Sequence, residues 1–381
     1  MSDPLNVTYG NQIILMTIDP VHVGTGGMRL GRVDNTIVRE PGTRLPKIPG
    51  TSLSGAIRQY AARRFNKMKC AGQTGHCGQP TCPICYTFGF VNSPNTGKSS
   101  AGVVSLSDAR ILLFPVYSMT GPVWVTCPSA LRDMGITGIP SLSDKSKAIW
   151  KSEVTQKNCI NLGWLMLEKE GGNKTLPPVN GNIPTDIQNR MVIVSDGVFP
   201  QIVNSNLEVR TSVSIDPETG AASDGALFTY EAIPRATILW MDVVQDDFRK
   251  EFPSMTKLSG WQALLNKSDE EGKKEQIPLL INWNLLKKNE QNDEKVFGKA
   301  MEESRKWFDD DCLRYYDMKA ATDGRWGNGS ESDDTAMDVV FAGLDLAEYF
   351  GIGGMGTRGF GRIRRLPAPP QPAAGKEVAN G

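Results

Sequence analysis

The chain has 381 residues, long enough to bury a large core, and its 42 Lys and Arg balance 42 Asp and Glu, so the chain as a whole is neither a polycation nor a polyanion. No run approaches the roughly 18 apolar residues of a membrane span, and Met1-Ser2-Asp3-Pro4 opens no secretory signal, so a cytoplasmic protein with no membrane partner is expected. Seven cysteines, an odd number with four crowded together, fit reduced thiols and a metal better than a disulfide framework.

In chain order, Ile13 to Met16 with Ile18 predicts a first strand. A glycine-broken loop follows from Val21, with one lone acid at Asp34, and leads to a helix start at Leu45-Pro46-Lys47-Ile48-Pro49-Gly50-Thr51-Ser52-Leu53. Residues 21–70 hold ten Lys or Arg against two acids, a local net of +8 in a neutral chain, so a polyanion is the simplest partner. Leu53, Ile57, Tyr60, Ala61, Phe65 and Met68 recur at helical spacing, with Thr51 or Ser52 as N-cap. Val103 to Val116 and Val123 to Val125 predict further strands, which makes the fold class α+β. Thr211 to Ile215, a tip at Asp216-Pro217-Glu218-Thr219-Gly220 and a return through Leu227, Phe228 and Tyr230 predict a long hairpin. Residues 241–340, with twenty-two acids against fifteen bases and helical stretches such as Lys295 to Tyr316, read as a solvated insertion. Ala342 to Phe350 predicts a helix running into a glycine-rich loop, Gly351 to Ile363. The Pro- and Ala-rich end, 367–381, is expected to be disordered. Sequence repeats are not evident, although a structural duplication leaves no such trace of necessity.

Cys70, Cys77, Cys82 and Cys85 form C-x6-C-x4-C-x2-C, enough soft ligands for a structural Zn²⁺ with no open position, and His76 is an alternative to Cys70. A redox CxxC is the rival, but it normally opens a helix within a βαβ unit; free buried thiols are the plainer alternative. The terminal glycine loop lacks the Lys-Ser or Lys-Thr of a phosphate loop and the strand-then-helix frame of a dinucleotide site. With Arg358, Arg362, Arg364 and Arg365 beside it, it suits close backbone approach to a phosphate or a neighbouring subunit, or a plain turn. Arg358-Gly359-Phe360-Gly361 partly imitates an RNA-recognition strand, but Arg362 stands where an aromatic should stack. The helix start offers unpaired N–H groups to a phosphate, with Lys47 and Arg58 as mobile charge, or is an ordinary capped core helix. Since His22 and His76 are the only histidines, a two-histidine ribonuclease mechanism fails once His76 lies on zinc, and RNA cleavage would fall to Asp34 with a metal ion and His22.

The run His22-Val23-Gly24-Thr25-Gly26 through Gly31-Arg32-Val33-Asp34-Asn35, then Leu45 to Arg58, resembles the backbone subunits of type III CRISPR effector complexes in the RAMP superfamily. Cys82 to Gly89 is similar to the family's cysteine and Phe-Gly segment and leans to its Csm branch, whereas Ser107-Asp108-Ala109-Arg110 through Phe114-Pro115-Val116 to Trp124 and Pro128 leans to Cmr. Arg210 to Pro234 resembles the thumb hairpin and Gly351 to Ile363 the terminal glycine loop; residues 246–339 match nothing in the family. One departure is Ser54, where the family commonly has Lys after Ser-Leu, which removes a phosphate contact and should shallow the salt dependence of guide binding.

The resemblance implies a ferredoxin-like, RRM-related palm over 1–245, carrying a zinc-binding insertion at 66–90 and a thumb hairpin at about 205–236. It further implies a charged, partly helical insertion over 246–339 and a closing helix, glycine loop and strand over 340–366. Copies would stack into a helical filament on guide RNA beside other type III effector subunits, the thumb displacing a nucleotide pair of the guide–target duplex. Target RNA would then be cut with Mg²⁺ or Mn²⁺, Asp34 acting as base for the 2′-OH or as metal ligand and His22 assisting. RNA contacts would come from Arg32, Lys47, Thr51, Ser52, Ser54, Arg58, Arg210, Phe228, Gly354 and Arg358. A non-catalytic guide-binding subunit of the same shape, or a stand-alone zinc-containing nucleic-acid-binding protein, are the alternative expectations.

Overall fold

The computed structural model describes residues 7–26, 33–72, 75–91, 93, 97, 99–172, 174–179, 182–216, 218–308 and 335–366. The expectations for Arg32 and for the tail 367–381 lie outside the described residues. The chain divides into two compact units, a sheet unit of Gln12–Ser52, Ser107–Asp242 and Glu348–Gly381, and a helical unit of Met1–Asn11, Leu53–Leu106 and Val243–Ala347. No helix among the described residues is long and apolar enough to cross a membrane.

The sheet unit is organised by strands β1 (Val7–Thr17), β2 (Lys47–Ile48), β3 (Ala109–Val116), β4 (Val123–Thr126), β5 (Lys147–Trp150), β6 (Cys159–Leu162) and β7 (Leu165–Lys169). They continue with β8 (Met191–Val194), the hairpin β9 (Glu208–Ile215) and β10 (Ala222–Ala232), β11 (Ile238–Asp246) and β12 (Ile363–Leu366). The main sheet runs β12-β1-β11-β3-β4-β8-β5-β7-β6, with β2 paired on β3. Its first four strands stand in spatial order fourth, first, third, second of their own chain order, with antiparallel pairing of β12 on β1 and of β11 on β3. In β8 all four residues are buried, as expected of an unbroken apolar run flanked by strands on both edges. Leu112, Leu113, Leu131, Ile193 and Ile238 form its core with Ile14 and Leu366.

The single strand expected from Val103 to Val116 is two, Val104–Leu106 and β3. The break falls at Ser107-Asp108, whose side chains leave the ladder for tertiary work: Ser107 Oγ accepts from Asp242 N at 2.8 Å and Asp108 Oδ1 from Gly50 N at 2.8 Å. The second bond caps helix α1 (Gly50–Arg64), which therefore starts ahead of the expected N-cap at Thr51 or Ser52. The hairpin forms as expected and is longer, with Thr211↔Thr229 and Val213↔Leu227 in register and an irregularity before Ile215.

The helical unit packs α1 from Leu53 onward with α2 (Pro83–Phe88), α3 (Met255–Leu265), α4 (Glu270–Asn282), α5 (Glu294–Trp307) and α6 (Ala336–Phe350). Helices α3 to α5 each begin on a side-chain cap readable in sequence, Ser254, Asp269 and Asp293. Despite its charge, the segment read as a solvated insertion buries an aromatic knot: Trp283 is 2% exposed and lies 5.2 Å from Trp261, 5.9 Å from Trp307 and 6.0 Å from Phe308 between ring centroids. Cys70, Cys82, Cys85 and Tyr86 belong to the same core cluster, so the cysteine segment and the charged helices share one interior. Tyr86 donates to Asp247 Oδ1, accepts from Glu251 N at 2.9 Å, and carries Arg249 over its ring at 4.5 Å.

Gly343 is the contact point of α6 with α1. A Cβ there would stand 2.3 Å from the Ile57 carbonyl oxygen, which is backbone and cannot turn aside. Gly→Ala inside a helix ordinarily gains about 1 kcal/mol; here the sign reverses, and Gly343→Ala is expected to cost about 1–3 kcal/mol through overpacking, read as a lower urea midpoint.

Candidate functional site

Three short segments of the sheet unit meet beside the hairpin root. Val38 N donates to Val23 O at 2.9 Å and Lys47 N to Val38 O at 3.2 Å, so the loop from Val33 to Arg39 runs as an irregular strand between its neighbours. Its start is held on β10: Asn35 N donates to Thr229 O at 3.0 Å and Glu231 N to Asn35 O at 3.0 Å. Asp34, half-buried, is thereby brought against the hairpin.

Asp34 Oδ2 accepts from Thr229 N and from Thr229 Oγ1, each at 2.8 Å, while Asp34 N donates to the same hydroxyl at 2.9 Å. Among the described residues Oδ1 receives no hydrogen bond. The Thr229 amide, and after it the Thr229 hydroxyl, hold the carboxyl below its ordinary range, so it stays ionised at neutral pH.

His22 is anchored two residues further along β10, roughly 7 Å at strand spacing. Its Nδ1 lies 2.6 Å from Glu231 O. A carbonyl only accepts, which places a ring proton on Nδ1, so that in the neutral tautomer Nε2 is the nitrogen with a free lone pair. Tyr230 meets the ring edge-on at 5.5 Å, and Gly354 N donates to His22 O at 2.9 Å. Gly353, at φ +88, approaches closely enough that a Cβ would fall 2.3 Å from that oxygen, so the partner of this close approach is the chain's own backbone and not the phosphate or neighbouring subunit expected of the glycine loop.

The Glu231 side chain, also buried, takes Arg39 Nη2 at 2.6 Å on one oxygen and Ile37 N at 3.2 Å on the other. Arg39 Nε donates on to Asn204 Oδ1 at 2.8 Å. Sequence reasoning passed over Thr229, Glu231, Arg39 and Asn204; the one available signal for the first two was their place on the returning strand of the hairpin.

Of the residues expected at RNA, Arg210, Phe228, Gly354 and Arg358 gather at the hairpin root with His22 and Asp34. Arg210 sits 4.9 Å over the Phe360 ring and pairs with Glu208 at 2.6 Å, Arg358 Nη1 donates to Ser212 Oγ at 3.4 Å, and Phe228 is half-buried. Lys47 is ion-paired with Asp108 at 2.5 Å. Burial pushes the Asp108 carboxyl up, but Lys47 and the Gly50 amide outweigh it and the net direction is down. The positive end of α1 thus already holds a carboxylate, with Thr51 exposed and Ser52 half-buried beside it. Ser54 is half-buried on α1, and Arg58 belongs to the helical unit, donating Nε to Cys70 O at 2.7 Å.

The four cysteine sulfurs lie within 4.8 Å of one another, with contacts of 3.4 Å (Cys70–Cys77), 3.8 Å (Cys77–Cys85) and 3.9 Å (Cys82–Cys70). A tetrahedron with Zn–S bonds of about 2.3 Å has edges of roughly 3.8 Å, so the donor set fits zinc, and the separations exclude a disulfide. His76 is not in the tetrad; its Nε2 is directed at Gly72 O.

A model of the RAMP superfamily matches residues 14–281. The chain is 31% identical over 249 residues to the CRISPR system Cmr endoribonuclease Cmr4 of Pyrococcus furiosus, covering 59% of this chain and 78% of that protein. It is 36% identical over 97 residues to the CRISPR system Cms endoribonuclease Csm3 of Methanothermobacter thermautotrophicus, covering 26% and 37%. Similar solved structures include the type III-B Cmr-beta bound to cognate target RNA, at TM-score 0.49 and 19% identity over 64% of this chain and 86% of that one. Oligomeric Cmr4 from Pyrococcus furiosus aligns at TM-score 0.42 and 24% identity over 67% and 89%.

Proposed function

The chain belongs to the RAMP superfamily, and from that premise we propose that it is a backbone subunit of a type III CRISPR ribonucleoprotein that binds guide RNA and cuts complementary target RNA at Asp34. The observation that carries the site is the ionised Asp34 carboxylate, tied to the root of the hairpin with one oxygen left without a hydrogen bond among the described residues. The palm is read as ferredoxin-like on the spatial order of β12, β1, β11 and β3, with α1 between the first and second of these strands in sequence and α6 between the third and fourth.

In this reading the hairpin displaces a nucleotide from the guide–target duplex, and the freed ribose turns its 2′-OH in line with the adjacent phosphate. Most of the barrier reduction comes from that positioning. The 2′-oxygen forms the new bond to phosphorus, the bond to the 5′-oxygen breaks, and that oxygen takes up a proton. A carboxylate held below its ordinary pKa is a weak general base, so Asp34 serves better as an anionic ligand and orienting group, through Oδ1. A single carboxylate with substrate phosphates is a donor set that suits Mg²⁺ or Mn²⁺, which when bound supplies charge stabilisation at the phosphate. In the neutral ring His22 Nε2 is the nitrogen that can accept a proton, its orientation set by Glu231 O. Sequence specificity resides in base pairing with the guide, while Arg210, Arg358 and the segment around Lys47 meet backbone.

The cysteine tetrad is proposed to hold a structural zinc that ties α2 to the helical core, with Arg58 on the Cys70 carbonyl steadying one ligand. The assembly reading is tested by expressing the protein with its CRISPR locus and following size exclusion at 260 and 280 nm. Co-elution of RNA with a particle several times the 41.6 kDa chain is expected, and an RNA-free monomer would contradict it.

A further inference from the structure

The contact between Asp34 and Thr229 extends the reading above, on which it rests. A single hydroxyl donates to the carboxylate and accepts from the same residue's main-chain N–H, closing a small ring, while the Thr229 amide fills the second acceptor position of Oδ2. The χ2 torsion of an aspartate is broad and two-fold, so a carboxylate without such partners exchanges its two oxygens freely. Here one oxygen takes both bonds and the other, among the described residues, takes none. Thr229 also stands on the hairpin itself. By strand alternation Leu227, two residues toward the tip, shares its face; Leu227 and its cross-strand partner Val213 are exposed apolar side chains, 64% and 44% accessible.

We infer that Thr229 is a positioning residue for RNA cleavage: its hydroxyl fixes which oxygen of Asp34 faces the substrate and fixes that oxygen's distance from the apolar face of the hairpin. The hairpin and the cutting group then move as one body, so displacement of a nucleotide by Leu227 and Val213 delivers its ribose to a carboxylate already oriented.

The test compares Thr229→Val, which keeps the branched shape and the amide but loses the hydroxyl, with Thr229→Ser, which keeps the hydroxyl, and with Asp34→Asn, all in the assembled complex. At saturating target, single-turnover cleavage by T229V is expected to fall about tenfold, the worth of one hydrogen bond to a charged group, with target Kd unchanged within about twofold. T229S is expected to recover most of the rate. In metal-free complex, hydrogen exchange at the Asp34 amide should quicken about tenfold in T229V, because that amide loses its acceptor, while Asn35, bonded to the Thr229 carbonyl, should not change. Equal rates for T229V and wild type beside an inactive D34N would overturn the inference and leave the Asp34 reading standing. Equally slow T229V and T229S would overturn it as well, since the hydroxyl would not then be the operative group. Full cleavage by D34N would remove the Asp34 reading and this inference with it.

Discussion

Replacing Asp34 with Asn is expected to lower target cleavage by at least about a hundredfold while leaving target affinity unchanged within about twofold. The separation of the two effects follows from the geometry. An asparagine is isosteric, and its carbonyl oxygen can take over the two bonds from Thr229 N–H and Oγ1, so the loop and the hairpin root keep their arrangement. Its amide then occupies the position of Oδ1, where it carries no charge and offers no lone pair to a cation. Affinity for target is set by base pairing with the guide and by backbone contacts elsewhere, none of which passes through this carboxylate. A variant that binds target and does not cut it is therefore the expected phenotype, measured by gel shift and single-turnover cleavage on the same preparation.

Removing one sulfur from the tetrad is expected to produce the largest loss of stability available to a single substitution in this chain. Cys82 is fully buried, sits in the same hydrophobic cluster as Trp283 and the α1 residues Ala61 and Ala62, and heads the short helix α2. Structural zinc contributes on the order of 10 kcal/mol of apparent binding free energy in small domains, and that energy is folding energy wherever the ligands come together only in the native state. Cys82→Ser should therefore lower bound zinc from about one per chain to a small fraction of that and lower the melting temperature of the zinc-containing protein by on the order of 10 °C. Cys159→Ser, at an exposed cysteine of the sheet unit, is the control expected to change neither. Because the ligands are thiolates, acid should release the metal, with stability lost as pH falls. Zinc content by elemental analysis and melting by calorimetry check this; a zinc-free C82S protein melting with wild type would contradict it.

What was legible in the sequence has local causes. Apolar runs at β1, β3 and β4, helical spacing from Leu53, the hairpin around Asp216 to Gly220 and the cysteine spacing all reflect neighbours a few residues apart, and all correspond to elements that form. What was not legible depends on distant partners. Thr229 reaches Asp34 across 195 residues of chain, and no property of either position announces the other. The cap of α1 comes from Asp108, 58 residues away, so an inventory of nearby Ser and Thr pointed to the wrong residue. The charged insertion was misread for a different reason. Mean composition over 241–340 records the many acids and hides that Trp261 in α3, Trp283 just past the end of α4 and Trp307 at the end of α5 come together, where three aromatic rings organise the core. Lys47 shows the same limit in charge: its pairing with Asp108 means that a basic count overstates the free cations of the loop.

The most direct measurement is a nucleotide-resolution map of cuts in an end-labelled target RNA bound to complexes assembled with wild-type chain, with D34N chain, and with a mixture of the two. Evenly spaced cuts from wild type, none from D34N with target still bound, and a ladder thinned in proportion to the D34N fraction are the expected results. An unchanged ladder from complexes built wholly of D34N chain would contradict the account.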